Sequence, residues 1–98
     1  STRLKRSSIR LRASAAVALA GYRPPDGTPE MLRLLEDLED SVRLKAIDSC
    51  RIRKEEEAVQ KLVNYRSHGN PDLRRKVIQA LAAINPEKLL ATLKAQLK

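Results

Sequence analysis

Aliphatic residues return along the chain at intervals of three and four, in six stretches separated by polar or Pro/Gly-containing breaks. Ile9, Ala13, Ala16, Val17 and Ala20 share one face of a first helix, expected from Ser7 or Ser8 to Ala20 and stopped by Gly21. Tyr22 to Pro29 reads as a loop, because Pro24, Pro25, Gly27 and Pro29 cannot continue a helix. Thr28 is the expected cap of a second helix, with Pro29 first in it and Met31, Leu32, Leu34, Leu35 and Leu38 on its apolar face. Asp40 or Ser41 opens a third, with Val42, Ala46, Ile47, Ser49 and Cys50 inward. A turn is expected at Arg53-Lys54-Glu55, and Ala58, Val59, Leu62, Val63 and Tyr65 then form a fourth helix. His68-Gly69-Asn70-Pro71 breaks the chain again, and Asp72 is the expected cap of a fifth helix carrying Leu73, Val77, Ala80, Leu81 and Ile84. Asn85-Pro86-Glu87 starts the sixth, carried by Leu89, Leu90, Leu93 and Leu97.

The odd-numbered helices open on one phrase. Its middle copy is Asp40-Ser41-Val42-Arg43-Leu44-Lys45-Ala46-Ile47, flanked by Ser8-Ile9-Arg10-Leu11-Arg12-Ala13 and Asp72-Leu73-Arg74-Arg75-Lys76-Val77. Aligning Ile9, Val42 and Leu73 gives periods of 33 (42 minus 9) and 31 (73 minus 42). The even-numbered helices repeat too, with Leu32 and Leu35 matching Val59 and Leu62, then Leu90 and Leu93. One helical hairpin cannot bury its apolar stripe, whereas three stacked ones make a continuous core. The expected fold is all-α: one domain of three hairpins, with repeats at roughly 7–40, 41–71 and 72–98. Ile9 to Leu32 spans 23 residues, against 17 for Val42 to Val59 and for Leu73 to Leu90. The surplus, around Pro24-Pro25-Asp26-Gly27, reads as an exposed excursion that tolerates shortening.

Asp40-Ser41-Val42-Arg43, followed by small core residues, resembles HEAT repeats, and more closely the short HEAT-like variant seen in phycobilin lyase subunits. The periods are shorter than the roughly 40–47 residues of ordinary HEAT and armadillo units. The third copy keeps Asp72-Leu73-Arg74, while the first has Ser8 in place of the acid. The resemblance covers nearly the whole chain and implies a right-handed α-α superhelix of the HEAT/armadillo kind. It implies little about activity, since fold does not dictate function. The start at Ser1, without Met, fits a piece of a longer solenoid.

Charge changes the picture by its distribution. The net charge is +8, yet residues 1–23 hold six bases and no acid while 24–40 hold one base and six acids. The alternation continues, with five bases and one acid in 41–54, two and four in 55–72, six and one in 73–98. Such blocks suit the surfaces of a layered repeat rather than a disordered basic tail. The longest apolar run, Ala15 to Ala20, is six residues, far short of the roughly 20 that cross a bilayer. With one cysteine and no signal-peptide apolar stretch, a cytoplasmic location is expected.

Catalytic chemistry has little to build on. His68 is the only histidine, Cys50 falls on the core face, and the three glycines form no phosphate-cradling loop. No catalytic residue, metal or cofactor is expected. Arg10, Arg43 and Arg74 would stack as a column, where each is expected to bond an acid or helix terminus of a neighbouring repeat rather than phosphate. Arg51, Arg53 and Lys54 before Glu55-Glu56-Glu57 read as a solvated helix end with local ion pairing. Arg3, Lys5 and Arg6 read equally as a basic edge for an acidic partner or nucleic acid and as the frayed end of a truncated helix. The better binding candidate is the outward strip of the odd-numbered helices, with Leu11, Leu44, Arg51, Arg75 and Gln79 among Ala15, Ala18, Asp48 and Ala82. Its mixed character suits a protein partner, making the chain a non-catalytic adaptor. The alternative is nucleic-acid binding through basic residues, as in HEAT-like DNA glycosylases, although two tyrosines and no Trp or Phe leave little for base stacking. A bilin-lyase subunit is suggested by fold resemblance alone.

Overall fold

The computed structural model describes residues 2–65 and 68–97, with side chains described from Ser8 onward. Among the described residues six α-helices follow one another: α1 (Thr2–Leu19), α2 (Thr28–Leu35), α3 (Asp40–Arg53), α4 (Val59–Asn64), α5 (Pro71–Ile84) and α6 (Pro86–Gln96), with a 3₁₀ turn at Glu56–Ala58 leading into α4. No strand occurs among the described residues. In one layer α1 packs on α3 and α3 on α5; behind them α2 packs against α1 and α3, while α4 and α6 each pack against α5. The result is a slab of 48 × 30 × 16 Å.

The core joins the layers. Met31, Leu35, Ile47, Leu62, Leu73 and Leu81 are fully buried, each stabilising the fold by about 1.5–3 kcal/mol. Every inward residue expected of α3 and α5 is buried. In the first hairpin two expected core residues are exposed instead, and at the end of the chain Leu90, Leu93 and Leu97 are too. Val17 is 53% exposed, on the wall of a groove that the short alanine side chains of α1 leave unfilled. Leu38 is 92% exposed: α2 ends at Leu35, and Asp37 accepts the Glu39 N–H at 3.0 Å, turning Leu38 out of helical register. At the far end Leu97 is 87% exposed and Leu90 54%.

Helix ends differ from the expectation in physically readable ways. α1 begins at Thr2, since neither Ser7 nor Ser8 breaks it. The N-cap of α2 is Gly27, not Thr28, and lies at φ 75°, where a Cβ would meet Leu19 Cδ2 at 2.5 Å. α3 is capped by Glu39 rather than Asp40 or Ser41. α5 is capped by Asn70 rather than Asp72, its side chain accepting the Asp72 N–H at 2.9 Å. Asn85 caps α6 as expected, accepting from the Lys88 N–H at 3.0 Å. The expected turn after α3 is made by Lys54 at φ 52°, which lets Lys54 and Glu55 donate N–H bonds back to Arg51 and Cys50.

The charges around this turn are not a solvated helix end. The side chains of Arg53 and Glu55 are completely buried against each other, Nη2 2.6 Å from Oε2. Arg53 also donates to the carbonyls of Leu19 (2.9 Å), Tyr22 (3.1 Å) and Asp26 (2.6 Å). The second carboxylate oxygen of Glu55 accepts the Thr28 hydroxyl at 2.9 Å. Thr28 was free for this bond because Gly27 does the capping. Only Glu56 and Glu57 of the acidic run are exposed as expected. The Pro24–Gly27 excursion is exposed as expected from Pro24 to Asp26, and its Asp26 carbonyl is fastened to the next repeat by the Arg53 guanidinium, so a shortening that removes Asp26 takes away one of that group's acceptors.

Candidate functional site

The candidate binding residues lie on the three helices of one layer: Leu11 on α1, Leu44 and Arg51 on α3, Arg75 and Gln79 on α5. Leu11 is 70% exposed, and Arg75 and Gln79 are exposed. Leu44 is half-buried and rests on the core cluster, so only its edge faces out. Arg51 is half-buried, with Nε 3.9 Å from Asp48. Asp48 accepts two bonds from Lys76 Nζ, at 2.9 and 3.1 Å, tying α3 to α5 within the strip. Arg75 is held by its own helix, donating to Asp72 at 2.9 Å.

Beside Leu11's helix runs a groove of about 310 Å³, lined by Ala13, Ser14, Val17, Ala18 and Lys45. Pattern reading put Ala13 and Val17 into the core and missed this groove. The available signal was the run of alanines in α1, whose short side chains cannot fill the space beside a neighbouring helix. A second cleft, about 550 Å³, lies between the α1–α2 loop and the end of α3, with Tyr22 59% and Ile52 55% exposed on its wall.

The repeated arginines do not form one ladder: Arg43 and Arg74 bond groups at the entrances of their own helices. Arg43 is bonded to Asp40 and stands 6.0 Å over the Tyr65 ring. Asp40 also accepts from Asn70 at 2.8 Å, linking the entrances of α3 and α5. These two bonds, the amide's first, hold the Asp40 carboxyl below the usual carboxylate range. Arg74 donates to the His68 carbonyl at 2.6 Å. Arg10 is exposed. In the first hairpin Arg12 grips Asp37 through two bonds, at 2.6 and 3.1 Å, and lowers that carboxyl's pKa in the same way. Tyr65 donates its hydroxyl to the Leu35 carbonyl at 2.6 Å, and burial raises its pKa.

Much of the positive charge is thus spoken for. Arg12, Arg33, Arg43, Arg51, Arg53, Lys61, Arg75 and Lys76 are all ion-paired. No continuous run of free cations crosses the described part of the strip. The side chains of Arg3, Lys5 and Arg6 lie outside the described ones. Burial, with help from the nearby Glu55 carboxylate, pushes the Cys50 thiol up to about 12, so it stays protonated and unreactive at neutral pH. Among the described residues no cluster of three or more His, Cys, Asp or Glu is arranged to hold a metal, and no helix is long and apolar enough to cross a membrane.

Comparison with known families matches residues 2–68 to HEAT repeats. No curated protein and no solved structure matches the chain. The match spans the first two hairpins, and α5 extends the α1–α3 layer by packing on α3.

Proposed function

The chain belongs to the HEAT-repeat family, and we propose that it is a non-catalytic scaffold whose odd-helix strip engages a protein partner. The observation that carries this reading is the composition of the strip. Exposed Leu11 and Gln79 alternate with arginines already paired to acids, next to an apolar groove with Lys45 on its wall. Polar groups already held in place around apolar surface are the ordinary make-up of a protein interface. A partner segment would lay apolar side chains along Leu11, Val17 and the edge of Leu44, with hydrogen bonds to Gln79 and Arg75. A cytoplasmic setting agrees with a lone, buried cysteine.

The second reading, nucleic-acid binding, draws on the +8 charge. Against it stand the paired bases and the carboxylate of Asp48 in mid-strip. The experiment that separates the two is a titration of labelled single- and double-stranded nucleic acid at about 0.15 M salt. The scaffold reading expects weak, sequence-independent binding that falls steeply with salt. Submicromolar affinity abolished by Arg75→Glu would overturn it.

A further inference from the structure

The outward seam between α1 and α3 has one wall from each of two consecutive repeats, so hairpins added at either end of the stack leave it uncovered. A preceding hairpin would stack across α1 and α2 instead, where Ala15, Arg33 and Leu34 line a separate hollow of about 370 Å³. The two clefts, of about 310 and 550 Å³, are parts of this seam. Ala18 lines the first and Gly21 the second, and the Gly21 N–H donates to the Ala18 carbonyl at 3.0 Å, joining them end to end. On the opposite wall Lys45 of the first and Ile52 of the second lie two helical turns apart on one face of α3. Val17, Ile52 and Tyr22 are each more than half exposed along it.

Charge separates this seam from the next. Between α3 and α5 the cations are answered within the chain, Arg51 and Lys76 by Asp48, and Arg75 by Asp72. Between α1 and α3 no acid lines either cleft, and residues 1–23 contain none. Lys45, Lys54 and Arg23 are exposed there, and among the described residues none of the three is ion-paired. Arg53, on the wall of the second cleft, is occupied by Glu55 and three carbonyls. Glu56 and Glu57 belong to the 3₁₀ turn, which packs on α2 and α4 behind the layer.

Lys45 and Lys54 are separated along α3 by about 13 Å, at roughly 1.5 Å per residue. An extended chain covers that distance in about four residues of roughly 3.3 Å each, with residues i, i+2 and i+4 on one side. Carboxylates at i and i+4 then meet the two lysines while the residue at i+2 faces the apolar stretch. A nucleic-acid strand carries a charge on every phosphate, several of which would lie on that apolar stretch. We infer that the α1–α3 seam holds an extended acidic segment of a partner protein, with carboxylates at i and i+4 on Lys45 and Lys54 and an aliphatic side chain between them on Val17 and Ile52. Resting on the scaffold reading, it gives the partner's chemistry and its place on the odd-helix layer.

The test titrates the protein into a labelled peptide with Glu at i and i+4 around Leu at i+2, followed by fluorescence anisotropy at about 0.15 M salt. One twin peptide carries Lys for Glu, another Ser for Leu. The acidic peptide should bind at least about tenfold tighter than the Lys twin and about threefold or more tighter than the Ser twin. Lys45→Glu with Lys54→Glu should reverse the charge preference, and Ile52→Asp should weaken the acidic peptide about tenfold. The same charge change at Lys88 and Lys94 of α6 should do neither. Far-UV circular dichroism checks that each variant is folded, and the lysine pair carries the test if Ile52→Asp is not. No saturable binding of the acidic peptide up to about 1 mM protein, equal affinity for the charge twins, or equal losses from the two lysine pairs would overturn the inference. A protein partner that still crosslinks to Leu11 and Gln79 positions would in that case leave the scaffold reading standing. Submicromolar binding of single-stranded nucleic acid that Lys45→Glu with Lys54→Glu abolishes would overturn both, assigning the seam to phosphates.

Discussion

Replacing Arg53 by Met removes the guanidinium from the most enclosed polar cluster of the fold. Glu55 then keeps one hydrogen bond, from Thr28 at 2.9 Å, for a carboxylate with no solvent exposure. The carbonyls of Leu19, Tyr22 and Asp26 lose the donor that ties the α1–α2 loop to α3. Removing one partner of a buried ion pair costs about 3–5 kcal/mol, because the other charge is left uncompensated. That is a large share of the roughly 5–15 kcal/mol available to a domain, and corresponds to a fall in Tm of roughly 12–30 °C at this length. Urea unfolding followed by far-UV circular dichroism measures it. Arg53→Met combined with Glu55→Leu should cost at least about 1 kcal/mol less than the sum of the single changes, since no charge is then stranded. A single-variant cost below about 1 kcal/mol, or strict additivity of the two, would refute the assignment of this pair as the fastening of the loop.

Leu81→Ala should cost about 2–5 kcal/mol by opening a cavity beneath α5, and an unchanged urea midpoint would show that this face is not the core. Asp37 and Asp40 have folded pKa values held below their unfolded ones by Arg12, and by Asn70 with Arg43. Their contribution is therefore present above about pH 4 and lost as pH falls through the folded values. The urea midpoint should drop on acidification, and Asp37→Asn with Asp40→Asn should flatten that drop; equal steepness in the variant would contradict it. Cys50, pushed up to about 12 mainly by burial, should react with Ellman's reagent only as fast as the protein unfolds, so rapid labelling of native protein would place the thiol elsewhere.

The fold was legible because its signal is carried by long amphipathic stretches repeated three times. Val42, Ala46 and Cys50 of α3, and Leu73, Val77 and Leu81 of α5, are buried where helical spacing puts them. The pattern failed where burial depends on a neighbour rather than on spacing. Val17 is exposed because the alanines of α1 leave a groove, and Leu38 because α2 ends one turn early. The Arg53–Glu55 pair looked like a charged helix end, since nothing local marks which of several adjacent charges turns inward. Its acceptors lie 25 or more residues away, on Leu19, Tyr22, Asp26 and Thr28. Repeat alignment could have raised the question: Arg53 occupies the position of Ala20 and Ile84, both on core faces. The candidate strip was readable as a set of positions but not as a surface. Neither the resting of Leu44 on the core nor the Asp48–Lys76 tie has a sequence signature.

The scaffold account is tested most directly by placing a photo-crosslinking residue at position 11 or 79 and irradiating the protein in cell extract before and after nuclease treatment. The account predicts one dominant protein adduct, identified by mass spectrometry, that both positions share. Arg75→Glu should deplete it, and excess unlabelled wild-type domain should compete it away. Adducts made of nucleic acid before nuclease treatment, with no shared protein band afterwards, would contradict it.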